Sequence, residues 1–151
     1  MRPSDGALLA EPILAWRLWH VVSRRGEPHL ASWTRSAVWQ PAERMEARCR
    51  LSLGGLLGCS EAPRRGHSCG IYGLRTRELA ERLLSEIGRI GAGSGRRPVA
   101  LGRVSLWGRV VENVSGFRAQ FAYPYDLVLL GGDERLAAEL RDRYAVDVAL
   151  A

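Results

Sequence analysis

The sequence predicts an α+β fold: a curved antiparallel sheet with two packed helices and a Cys/His-containing loop. Strand-like apolar runs precede residue 50, two amphipathic helices follow, and a long alternating stretch lies between them. The order is strands, loop, strand, helix, hairpin, helix, which is not the regular alternation of a parallel βαβ sheet.

PILAWRLWHVV (12–22) puts Ile13, Ala15, Arg17, Trp19 and Val21 on one parity and Leu14, Trp16, Leu18, His20 and Val22 on the other. Both sets are largely apolar, so the segment reads as a strand buried on both faces, with a helix as the alternative. SRRGEP reads as a turn punctuated by Gly26 and Pro28. Residues 29–39 read as one or two short strands ended by Gln40-Pro41, and 42–50 admit a short strand into Cys49. The glycines of LSLGGLLGC (51–59) oppose regular structure, so 50–68 reads as an irregular loop inserted in a single domain, 1–151.

CGIYGL (69–74) reads as a short strand leaving that loop. The next helix has Thr76 as N-cap, Glu78 in its first turn and an apolar stripe of Leu79, Leu83, Ile87 and Ile90. GAGSGRRP ends it, since Pro98 forbids continuation. Residues 99–123 read as a hairpin around the turn NVSG, with Phe117, Ala119, Phe121 and Tyr123 on one face and Arg118 and Gln120 on the other. Tyr123-Pro124-Tyr125 reads as a rigid turn and DLVLL as a separate short strand. A second helix follows, capped by Asp133 and burying Leu136, Leu140 and Tyr144, and AVDVAL returns as an edge strand.

With 151 residues, 46% of them hydrophobic, the chain can bury roughly two thirds of its unfolded surface in one core. The early apolar run is interrupted by Glu11, Pro12 and Arg17, so neither a membrane span nor a cleavable signal is expected, and the protein reads as cytoplasmic. Three cysteines in a chain of this size argue for thiols rather than a disulfide framework. All 22 basic residues are arginine, against 16 acidic residues, for a net charge of +6. That surplus suits phosphates, and a nucleic-acid-binding module would use Arg24, Arg25, Arg64, Arg65, Arg96, Arg97 and Arg109. The same pattern also fits a GC-rich genome and a dispersed, solvated charge.

The densest chemistry lies in Cys49, Cys59, His67 and Cys69, within 21 residues of one another. Three thiolates and an imidazole fill the tetrahedral shell of structural zinc, and coordination would order a loop that cannot fold well alone. The spacing lacks the Cys-x2-Cys knuckle, so the competing reading is two small buried cysteines, an idle thiol and a solvated histidine. A thiol enzyme would use Cys69 with His67, His20 or His29 as base and Asp126 or Glu112 as orienting group. GAGSGRR follows a helix and precedes a strand, the reverse of a phosphate cradle. On the hairpin, Trp107, Arg109, Phe117, Tyr123 and Tyr125 offer aromatic and guanidinium groups suited to a protein or peptide partner or to a stacked base.

Trp39-Gln40-Pro41, the loop ending in Cys69-Gly70-Ile71-Tyr72-Gly73, and LWGRVVENVSGFRAQFAYP (106–124) resemble a group of small bacterial proteins that carries no assigned activity. The resemblance covers roughly residues 12–127. It implies a stand-alone domain in which cysteine and histidine interchange near the loop, as metal ligands do. The reading that follows is a non-catalytic binding or regulatory domain, zinc-stabilised, acting through the hairpin surface.

Overall fold

The computed structural model describes residues 11–33, 37–49, 61–90 and 97–151. Cys59, Arg96 and most of the two glycine-rich segments lie outside the described residues. The elements are β1 (Ile13–Arg24), β2 (Glu27–Ser32), β3 (Val38–Trp39), β4 (Met45–Glu46), β5 (Ile71–Leu74), α1 (Arg77–Ile90), β6 (Val99–Glu112), β7 (Gly116–Leu130), α2 (Glu134–Tyr144) and β8 (Asp147–Leu150). The fold is α+β, as the order of segments predicts.

The strands form one sheet that closes on itself. β1 pairs with β6, β6 with β7, β7 with β5, and β5 returns to β1 through the Trp16–Leu74 pair. β2 and β3 extend from the far end of β1, while β4 and β8 share with β5 the outer edge of β7. The ring has a small radius, which leaves little room inside. A Cβ on Gly73 would stand 2.6 Å from that of Ala15 and 2.8 Å from Leu106 Cδ1, so only glycine fits there.

β1 is buried on both faces, as its sequence predicts. Ala15, Trp19 and Val21 join the enclosed core, where Val104, Leu106, Ala119, Leu129 and the α2 residues Ala137, Leu140 and Tyr144 meet them. Leu18 and Trp16 face the other way, beneath α1. Trp19 and Trp39 meet edge to face at 5.5 Å, the favoured geometry for buried aromatic rings. β1 and β2 are joined by a two-residue turn, Arg25-Gly26, with positive φ at both positions. Pro28 therefore lies inside β2 and not in the turn.

Several expectations are corrected. The sheet is mixed, because β8 pairs parallel to β7. Tyr123-Pro124-Tyr125 is no turn: it lies within β7, a single strand of 15 residues that includes DLVLL. Tyr125 is the extra residue of a bulge between the Arg103–Asp126 and Val104–Pro124 pairs. Pro124 is tolerated because that stretch of the outer edge falls between β4 and β8, where no ladder needs its missing N–H. A second irregularity between Trp107 and Val110 breaks the expected alternation, and Arg118 is buried. The inward stripe of α1 is Ala80, Leu84 and Ile87, leaving Leu83 43% exposed.

Candidate metal centre

Residues 47–49 leave β4 held by the Ala47 N–H, which donates to the Gln120 carbonyl of β7. On the other side, residues 64–67 form a turn in which the His67 N–H donates to the Arg64 carbonyl. The chain then runs through Cys69 into β5. Gly70 sits at φ +119°, and a Cβ there would stand 2.8 Å from Pro63 Cβ and 2.9 Å from Arg118 Cβ. The backbone thus passes close to β7 only because residue 70 is glycine.

These segments bring Cys49, His67 and Cys69 together, with all three ligand atoms within 4.8 Å of one another. Cys49 Sγ lies 3.5 Å from His67 Nδ1. Zinc–sulfur and zinc–nitrogen bonds at a tetrahedral angle would separate those atoms by about 3.6 Å. Cys69 is 8% exposed, and its carbonyl accepts a 2.6 Å hydrogen bond from Arg118 Nη1. The same nitrogen reaches the Arg64 carbonyl at 3.3 Å, so one buried guanidinium ties both ends of the His67 turn to β7. Tyr72 closes the other side, its hydroxyl donating to the Ser68 carbonyl at 2.6 Å.

Three of the four predicted ligands therefore converge, and the fourth, Cys59, lies outside the described residues. Two thiolates and one imidazole suit zinc, with a fourth position for another ligand.

Of the thiol-enzyme constellation, His67 does come within 4.8 Å of Cys69, but among the described residues neither proposed orienting carboxylate nor the other two histidines are free to complete it. Asp126 is engaged by Arg103, and Glu112 pairs with Arg75. His20 stacks on Trp33, and His29 bonds Glu27 and Arg143. Burial alone would raise the Asp126 carboxyl, but hydrogen bonds from the Arg103 side chain and backbone hold it below its usual range.

The proposed hairpin residues are divided. Phe117 is buried in the core beneath Arg75, and Tyr123 packs against that core with its hydroxyl donating to the Tyr144 carbonyl. Trp107 is half-buried beside Phe121, Arg109 is half-buried, and Tyr125 is 48% exposed with the Arg103 guanidinium over its ring. Arg24, Arg25, Arg64, Arg65 and Arg97 are exposed on three separate segments.

A cleft of about 450 Å³ adjoins the candidate ligands, walled by Trp39, Val38, Met45, Ile71, Cys69 and Arg17 among others. Arg17 comes from the core-facing parity of β1. Its Nη1 donates to the Tyr72 carbonyl at 2.6 Å, its Nη2 donates to Ser32 Oγ at 3.0 Å, and its guanidinium lies 4.9 Å from the Trp39 ring. Burial pushes this guanidinium down to about 10, which leaves it charged at neutral pH. Sequence reasoning missed Arg17 as a site residue. Its signal was a lone cation within an otherwise apolar run, on the parity of Ala15 and Trp19.

Comparison with protein-family models, with curated proteins and with solved structures finds no match. The class defined by fold and site is a compact α+β domain carrying a candidate three-ligand metal site. No helix among the described residues is long and apolar enough to cross a membrane.

Proposed function

We propose that this chain is a non-catalytic binding domain whose loop is closed by zinc on Cys49, His67 and Cys69, with Cys59 as the fourth ligand. The observation that supports it is the convergence of three ligand atoms from two distant segments to within 4.8 Å, one pair of them, Cys49 Sγ and His67 Nδ1, at a separation that fits zinc bonding. Coordination would join the end of β4 to the start of β5 across the inserted loop, so metal binding would contribute directly to folding. A protein or peptide partner would meet the hairpin at Tyr125, the exposed member of the predicted set, and at the half-buried Trp107 and Arg109.

The test is metal content on tag-free protein, with thermal unfolding before and after chelation. About one zinc per chain is expected, with a lowered midpoint after chelation that zinc restores, and Cys69→Ser should lose both metal and midpoint. Metal-free protein of full stability, unaffected by added zinc, would overturn the reading.

A further inference from the structure

Five arginines among the described residues pair with carboxylates: Arg75 with Glu112, Arg77 with Glu81, Arg103 with Asp126, Arg135 with Glu139, and Arg143 with Glu27. Arg17 is half-buried and, like the more deeply buried Arg118, has no carboxylate partner among the described residues. Its partners are a carbonyl, a serine hydroxyl and an aromatic face. Its Nε is shut off from solvent without any acceptor. A guanidinium carries five N–H donors, so besides the shut-off Nε–H one N–H on each Nη lacks an acceptor among the described residues. A half-buried cation with unmet donors is a ready partner for an anion that would complete it.

Ser32 adds to the same demand. Its Oγ accepts from Arg17 Nη2 at 3.0 Å and from Trp39 Nε1 at 2.8 Å. Two accepted bonds occupy both lone pairs, leaving the hydroxyl hydrogen to donate. Both residues line the cleft of about 450 Å³, within the range of small-molecule sites. Val38, Met45, Ala47 and Ile71 supply apolar walls, and the exposed Glu46 and Arg48, one of each charge, also line it.

We infer that this cleft binds a small organic oxyanion, its carboxylate or phosphate group held by Arg17 and Ser32 and its apolar body lying against Val38, Met45 and Ile71. The inference goes beyond the zinc reading and does not require a metal at Cys69. The bond to Tyr72 and the Trp39 face fix the guanidinium plane, so the charged fork is oriented before the ligand arrives.

The experiment follows the side-chain Nε–H resonance of Arg17 in the full chain, labelled with 15N-arginine, during titration with benzoate, phenyl phosphate and inorganic phosphate. Benzamide is the neutral control. A saturable shift of that resonance with benzoate or phenyl phosphate, absent with benzamide, is expected, and which of the two anions binds more tightly identifies the head group. Inorganic phosphate should bind more weakly than phenyl phosphate, because it lacks the apolar body. Arg17→Lys keeps the charge but loses the fork, and should weaken binding by about tenfold or more. If that variant fails to fold, the titration of the natural protein decides alone. An Arg17 resonance that no anion moves would overturn the inference. So would a shift shared by all the arginines and abolished at physiological salt, which would report screening of the +6 surface charge.

Discussion

The Tyr144 hydroxyl accepts a hydrogen bond from the Leu30 N–H at 2.8 Å and donates to the Trp39 carbonyl at 2.5 Å. Burial pushes its ionisation up to about 12, so it remains a neutral donor and acceptor across the working range. Tyr144→Phe keeps the ring and orphans both backbone groups, and should cost about 1–3 kcal/mol in denaturant unfolding. Arg118 is comparable at the candidate metal centre. It is 7% exposed and holds the Cys69 carbonyl, so Arg118→Met should weaken zinc affinity about 10–100-fold in competition with a chromophoric chelator. Neither role was legible in the sequence. Arg118 alternates with apolar neighbours in the manner of a solvated residue, and only the approach of residues 64–70 to β7 covers it.

At the scale of elements, the two helices differ in how well their patterns disclose their packing. α2 behaves as read: Asp133 Oδ1 accepts from the Leu136 N–H at 2.9 Å, and Leu140 and Tyr144 are buried. Asp133→Ala should cost about 1 kcal/mol, measured as a drop in the unfolding midpoint. In α1 the cap is also as read, with Thr76 Oγ1 accepting from the Leu79 N–H at 3.2 Å. Its buried stripe is not. Leu79, Leu83 and Ile87 have good helical spacing, but so do Ala80, Leu84 and Ile87, and the sheet beneath selects the second set. Leu83→Glu should therefore leave stability almost unchanged, while Leu84→Glu should lower it clearly in the same thermal assay. β7 shows another ambiguity, since a Tyr-Pro-Tyr sequence suits a turn as well as a bulge. The gap between β4 and β8 decides for the bulge.

At the scale of the molecule, ring closure governs what can be changed. Gly73→Ala would drive a methyl into Ala15 and Leu106 across the ring, with an overpacking cost of about 1–3 kcal/mol by urea unfolding. The pH response also belongs to the assembled chain. His20 stacks on Trp33 at 3.6 Å with its Nδ1 buried and unpartnered. Desolvation, followed by the nearby Arg97, lowers its ionisation below the ordinary 6.5. The unfolded chain then takes up a proton before the folded one does. Stability supplied by the neutral ring is present above pH 6.5 and is lost as the pH falls from there through the folded value. His20→Gln should flatten that part of the acid profile; a wild-type and variant difference that stays constant between neutral and mildly acid pH would refute the assignment.

By itself the sequence determined the local features: the α+β class, both helix caps, the doubly buried β1, the Asn113 turn, and the grouping of Cys49, Cys59, His67 and Cys69 as chemically matched residues. Each of these depends on short-range periodicity or on residue chemistry, which are present before the chain folds. The tertiary structure alone decided which pairs of strands close the ring, where the sheet turns parallel, and which hairpin aromatics are core. It also decided that Arg118 is buried and Arg17 half-buried on either side of the stretch from Cys69 to Tyr72. An arginine in a strand has the same letter and the same neighbours in sequence whether water or protein covers it. Its lack of a counter-charge becomes visible only when residues 15, 55 and more positions away have been brought to it.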